Sequence, residues 1–160
     1  MKIIEITGEN ACGRRNKSRT ACRGIVTKNG KILLSYETVT DTWMIPGGGL
    51  AEGEDDIACC IREMSEETGL VVSLSECALE IKEYYGDFKY ISRYYFGTPV
   101  DQCERNLTER EAQDGLEPRW IPIPEAVKIF SKHALFADTD EMKRGLYLRE
   151  YTALCELSQI

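Results

Sequence analysis

Glu63, Glu66 and Glu67 stand within five consecutive positions, with Arg62 directly before them. The stretch around them reads as a helix. Acids at residues 52–56 suit the positive end of a helix starting nearby, Ile57, Ile61 and Met64 recur at helical spacing beside Cys60, and Gly69 is placed to cap the end near Thr68. At roughly 100° per residue from Ile57, Ile61 and Met64 fall within about 40° of it, so this stripe is expected to face the core. Glu63, Glu66 and Glu67 then fall near ~240°, ~180° and ~280°, sharing an arc of about 100° turned away from the stripe. Like charges so placed repel by roughly 0.2–0.5 kcal/mol per pair on an exposed helix. A hard divalent cation would offset that repulsion, because it prefers carboxylate oxygens and keeps water molecules that can become nucleophiles. Arg62 could orient a carboxylate or balance charge. A merely solvated acidic face is the other reading of three glutamates taken alone.

The elements that must hold this helix read mainly as strands. Residues 2–7 form the first; a polar, basic stretch at 13–19 then breaks the hydrophobic pattern and suggests a mobile segment over about residues 8–18. Residues 20–27 and 31–36 are apolar runs around Asn29-Gly30, a hairpin signal because both residues tolerate positive φ. Gly47, Gly48 and Gly49 are expected as a flexible turn before the helix. Residues 70–74, 78–85 and 90–96 read as further strands, the last two joined by a turn at 86–89, and an acidic linker covers 101–117. Helices are expected from about residue 125 to 132, with Pro124 in the first turn, and from 140 to 157 as an amphipathic element. The whole reads as a mixed α/β sandwich forming one domain over residues 1–160.

The spacing around the acidic helix is specific. Five residues separate Gly48 from Glu54 and seven separate Glu54 from Arg62; Arg62-Glu63-Met64, Glu66-Glu67 and Gly69-Leu70 complete nine specified residues over 23 positions. This pattern resembles the box of the Nudix hydrolase (MutT-like) family, and a weaker likeness extends over about residues 19–132. The resemblance implies an α/β/α sandwich with a mixed β-sheet. It also implies hydrolysis of a nucleoside diphosphate linked to another group, such as a nucleoside triphosphate, assisted by Mg2+ with Mn2+ as the alternative. By the family pattern Glu63, Glu66 and Glu67 are metal ligands and catalytic groups, joined by the main-chain carbonyl of Gly47, while Glu54 and Arg62 orient them. Gly48 and Gly49 let the loop approach metal and substrate, or serve as simple turn glycines. The general base is either a box glutamate or a residue of the 108–114 loop, where Glu111 is favoured over Glu109 and Asp114; an acidic solvated loop is the plain alternative. Arg23 is a candidate phosphate contact. Tyr85, with Tyr84, Tyr94 and Tyr95, is a candidate for stacking on a base, and strand alternation allows a core role for the same residues.

Charge and composition bound the alternatives. With a formal charge of −7 the chain is not expected to bind duplex nucleic acid, whose affinity rests on many cations neutralising phosphates. No run approaches the ~20 apolar residues of a membrane span, the first residues are too short an apolar run for a secretory signal, and a cytoplasmic protein is expected. Seven cysteines without a Cys-x-x-Cys pair indicate neither a disulfide framework nor a zinc site. His133, the only histidine, is read as a surface or cap residue. A nucleotide-sensing domain without hydrolysis is the alternative from another class, although it would have little reason to keep the full acid set. An isomerase of isoprenoid diphosphates would need further Cys, His and Glu ligands that this chain does not offer. A homodimer paired through a sheet edge or the C-terminal helix is the assembly considered.

Overall fold

The computed structural model describes residues 1–14 and 16–157. In chain order the elements are β1 (Lys2–Thr7), β2 (Lys17–Ile25), β3 (Thr27–Lys28), β4 (Lys31–Glu37), β5 (Thr42–Met44), β6 (Gly47–Gly49), α1 (Asp56–Thr68), β7 (Leu70–Tyr85) and β8 (Phe88–Gln102). They continue with α2 (Glu109–Gln113), β9 (Leu116–Pro122), α3 (Ile123–Phe130), a 3-10 segment (Ser131–Phe136) and α4 (Glu141–Glu156). One five-stranded sheet runs β1-β7-β8-β2-β6. It is mixed, because β1 pairs with β7 and β2 with β8 in parallel while the β7–β8 and β2–β6 pairs are antiparallel. A smaller antiparallel sheet holds β3, β4, β5 and β9. No helix among the described residues is long and apolar enough to cross a membrane.

Helices cover both faces of the large sheet, giving the expected α/β/α layers. Alternation along the strands separates two cores: Cys22, Val26 and Tyr95 pack with Cys59, Cys60 and Met64 of α1, while Ile25, Leu79, Ile81 and Tyr94 pack with Phe130, Ala153 and Leu154 of α3 and α4. Burying a side chain such as Met64, fully shielded here, contributes roughly 1.5–3 kcal/mol to seating α1 on the sheet. The α1 boundaries follow its caps. Asp55 accepts from the Ala58 N–H at 2.8 Å, and Gly69 closes the helix at φ 74° with its N–H on Ser65.

Several expectations need correction. Ile57, used as the core reference on α1, is 42 % exposed; the buried side of the helix runs instead through Cys59, Cys60, Met64, Glu67 and Thr68. Glu67 therefore belongs to the buried face, because its carboxylate finds hydrogen-bond donors there. Residues 47–49 are no free turn: they form β6, paired with β2 as Ala21↔Gly49, Cys22↔Gly48 and Arg23↔Gly47. β2 begins at Lys17, where pairing with β8 overrides the polar pattern, so residues 17 and 18 of the supposed mobile segment are strand; Arg15 within it lies outside the described residues. β7 runs unbroken from Leu70 to Tyr85 through register shifts near Cys77. The supposed linker holds the end of β8, then α2, started by a capping box between Thr108 and Glu111. It ends in β9, which pairs along β4. Finally, α4 buries Arg149 and Glu150, so it is not the simple amphipathic helix its length suggested.

The same alternation places the site. On the α4 side of the sheet, Ile25, Leu79, Ile81 and Tyr94 belong to the core, and the next residues of equal parity turn polar or aromatic: Arg23 and Arg19 on β2, Glu83 and Tyr85 on β7, Ser92 and Tyr90 on β8. These six side chains line one cleft of ≈ 810 Å³. The cleft is where this sheet face emerges from beneath α4.

Candidate active site

Glu67 is anchored from two directions. Its Oε2 accepts from Ser35 Oγ at 2.9 Å and from the Gly47 N–H at 3.2 Å, and the residue is only 4 % exposed. Burial pushes its carboxyl up to about 8, against the lowering influence of these two donors and of Arg23. A cation beside it would stabilise the ionised form and act in the opposite direction.

Arg62 ties the remaining box residues together. Its Nε and Nη2 donate to the two Glu54 oxygens at 2.7 and 3.0 Å, its Nη1 donates to Glu63 at 2.7 Å and Glu66 at 3.1 Å, and Nη2 also reaches the Gly49 carbonyl at 3.3 Å. The fork on Glu54 is the bidentate geometry for which guanidinium is suited. It holds the Glu54 carboxyl at about 2, mainly through the hydrogen bonds from Arg62. The sign follows directly: this contribution is complete above the unfolded carboxyl value of about 4.3 and is lost as pH falls through about 2. The difference in Tm between the wild type and Glu54→Gln should therefore persist at mildly acidic pH and close only near the lower value. Closure already at about pH 5, in melts recorded across the range, would contradict the clamp.

The glycines of β6 are required by close approach. Gly47 has φ 144°, and a Cβ there would meet the Cys22 carbonyl oxygen and come within 2.7 Å of Arg23 Cα. At Gly48 a Cβ would lie 2.5 Å from Glu63 Cδ, so the missing side chain is the room in which the Glu63 carboxylate sits. Burial raises the Glu63 carboxyl; Arg62 opposes this, and the charges of Glu66 and Glu111 reinforce it. Glu63 and Glu111 line the same cleft. One of the Glu111 oxygens accepts from the Thr108 N–H at 2.8 Å, which fixes the side chain in the α2 capping box.

The cleft collects Gly47, Gly48, Gly49, Arg62, Glu63 and Glu67 together with Arg23, Tyr85, Glu111 and Asp114. Glu66 joins through Arg62 without lining the cleft, and Glu109 stays outside it. Tyr94 and Tyr95 are core residues, bonded to Glu150 and Asp56, and Tyr84 is buried with its hydroxyl on Glu5; none lines the cleft. Arg23 is buried, donating to the Ile45 carbonyl at 3.1 Å and lying 3.7 Å from Glu150. His133 packs near Tyr151, away from the cleft. Sequence reasoning missed Ser35, Glu83, Arg149 and Glu150.

Among the described residues no three His, Cys, Asp or Glu side chains converge as a ready metal cage. The donor chemistry nevertheless fits a hard cation. Glu63, Glu66 and Glu67 supply only oxygen and project from one side of α1, and Arg62 contacts Glu63 and Glu66 but not Glu67.

Residues 17–143 match the family model described as NUDIX domain. The chain is 27 % identical over 125 residues to a nucleoside triphosphate pyrophosphatase/Nudix hydrolase fusion protein of Bifidobacterium longum, a match covering 71 % of this chain and 25 % of that protein. It is 38 % identical over 63 residues to the m7GpppN-mRNA hydrolase of Saccharomyces cerevisiae, covering 39 % of this chain and 6 % of the relative. The chain therefore spans a quarter or less of the length of these relatives. A human diphosphoinositol polyphosphate phosphohydrolase 3-beta is 25 % identical over 121 residues, 76 % of this chain and 72 % of that one. Among solved structures, a NUDIX hydrolase from Nitrosomonas europaea superposes with a TM-score of 0.61 at 22 % identity, covering 86 % of this chain and 90 % of the other. That likeness supports the fold alone.

Proposed function

This chain belongs to the Nudix family, and from that premise we propose that it is a metal-dependent pyrophosphohydrolase acting on a phosphoanhydride bond of a nucleotide-like small molecule. The observation that carries the reading is the meeting of Glu63 and Glu67 with Arg62, Gly47 and Gly48 at one end of a cleft large enough for a nucleotide. The relatives point the same way, since their names share a chain of linked phosphates: nucleoside triphosphate, m7GpppN and diphosphoinositol.

In this reading Glu63, Glu66 and Glu67, with the Gly47 carbonyl, would hold Mg2+ or Mn2+. When bound, such an ion supplies charge neutralisation at phosphate and lowers the pKa of water. Arg62 keeps Glu63 and Glu66 in position and prevents them from turning apart. Exposed Arg19 and Arg110 border the cleft and are suited to the phosphate chain; a Cβ at Gly49 would lie 3.0 Å from Arg19 Nη2, which puts the guanidinium directly over β6. Glu111 is the proposed proton acceptor, its carboxylate steadied by the Thr108 N–H.

Hydrolysis of nucleoside triphosphates, sugar nucleotides and dinucleotides, followed by chromatography as loss of the intact compound and appearance of its two phosphorylated products, tests the proposal. With Mg2+ at least one class should turn over, and chelation should reduce the rate to background. Failure across the panel with either Mg2+ or Mn2+ would favour a nucleotide-sensing domain instead.

A further inference from the structure

The cleft has a second polar end that bond cleavage does not use. Arg149 of α4 is 8 % exposed and pinned from two sides: Nη2 donates to Glu150 at 2.8 Å, and Nη1 lies 3.5 Å from Glu83. Both carboxylates are themselves held, Glu150 by the Tyr94 hydroxyl at 3.0 Å and Glu83 by the Tyr85 hydroxyl at 3.3 Å. Tyr85 is in turn wedged in place: a Cβ at Gly8 would lie 2.5 Å from its Cδ1, and one at Gly145 would lie 3.3 Å from its hydroxyl. The result is a guanidinium fixed in position on the wall of the cleft, at the end of a chain of tightly constrained side chains.

Two facts distinguish this end from a phosphate site. First, the positive charges of Arg23 and Arg149 are already countered by Glu83 and Glu150, so the cluster is neutral and offers little to a further anion. Secondly, the Nε atoms of Arg23 and Arg149 are fully buried, so the side-on fork that an arginine offers a phosphate through Nε and Nη is closed at both. Apolar side chains line the same cleft: Met142 and Leu146, on the same face of α4 as Arg149, with Met44 from the smaller sheet. Apolar walls around neutral polar groups make a slot for a flat, uncharged heterocycle.

Guanidinium carries five donors and no acceptor. It can pair with a ring carbonyl but not with an exocyclic amino group. We propose that Arg149 is a specificity-determining residue that donates to a carbonyl on the substrate's nucleobase, so that the protein prefers bases with an oxo edge, such as 6-oxopurines, over their amino counterparts. This rests on the nucleotide reading of the same cleft, with the phosphate chain lying toward α1.

Inosine and adenosine differ chiefly at this edge, so binding of their 5′-monophosphates to the full chain, measured by calorimetry without metal, isolates the effect. The inosine nucleotide should bind about 10-fold or more tightly than the adenosine nucleotide, as expected for one charge-assisted hydrogen bond gained or lost. In Arg149→Lys the ratio should collapse to within about 3-fold, since lysine keeps the charge but cannot reproduce the pinned fork. Equal affinities in the wild type, including no measurable binding of either, would overturn the proposal without recourse to any variant. Hydrolysis of the two triphosphates, followed in parallel, separates the two readings. Equal kcat/KM for both would leave the hydrolase standing and remove the oxo preference; preferential binding without hydrolysis would do the reverse.

Discussion

Replacing Glu67 by Gln is expected to lower kcat by about 10²–10³-fold while leaving the fold intact. The amide oxygen of glutamine can still accept from Ser35 Oγ and the Gly47 N–H, so the two anchors at 2.9 and 3.2 Å survive and the side chain stays in place. Only the negative charge is lost. Because burial already raises the Glu67 carboxyl, a neutral residue is well tolerated in the folded state, and Tm should change by a few degrees at most. Unchanged turnover on a confirmed substrate would remove Glu67 from the catalytic group. A large fall in Tm would instead show that the charge is needed for folding.

Gly47→Ala should have the largest effect on stability, about 3 kcal/mol or more. Two independent penalties combine at this position: φ of 144° is closed to residues with a side chain, and the new Cβ would run into the backbone of Cys22 and Arg23 in the neighbouring strand. Relief requires β6 to separate from β2, and that movement withdraws the N–H that holds Glu67. Denaturant melts should therefore show a reduced midpoint together with lost activity in the fraction that remains folded. An unfolding free energy within about 0.5 kcal/mol of wild type would mean that the backbone here is free to relax, and that β6 is not the rigid support assigned to it.

These two residues also show how far the chain could be read before folding. Helix α1, its Gly69 cap and the Asn29-Gly30 turn rest on local rules and form where those rules place them, but the antiparallel pair expected between residues 20–27 and 31–36 is confined to residues 27–28 and 31–32, because β2 pairs with β8 and β6 in the larger sheet. The box spacing is local as well, which is why Glu54, Arg62 and Glu63 could be named together. The buried side of α1 could not be found this way. Ile57 looks like core, but it sits at the helix start beyond the packed layer, whereas Glu67 becomes tolerable inside only because donors arrive from Ser35 and Gly47, 32 and 20 residues away. The pairing of residues 47–49 with β2 was equally invisible, since three glycines carry no side-chain pattern.

The polar end of the cleft left a fainter trace. On β7 the inward series Leu79, Ile81, Glu83, Tyr85 changes from apolar to polar partway along one face, and β2 does the same from Ile25 to Arg23 and Arg19. Such a change of character at constant parity marks where a sheet face leaves the core and becomes a site wall. Arg149, 66 positions from Glu83, could be joined to it only by the fold. Likewise, Thr108 and Glu111 carried the T-x-x-E signature of a capping box, yet the acidic composition around them suggested a linker.

The central claim is that the carboxylates of α1 form a divalent metal centre, and it can be tested without knowing the substrate. Mn2+ binding followed by electron paramagnetic resonance, for the wild type and for Glu63→Gln with Glu66→Gln, measures it directly. The claim predicts saturable binding in the wild type and an affinity at least about 10-fold weaker in the double variant, whose fold is verified by its unchanged circular dichroism. Equal Mn2+ affinity in the two proteins, or no binding in either, would contradict it.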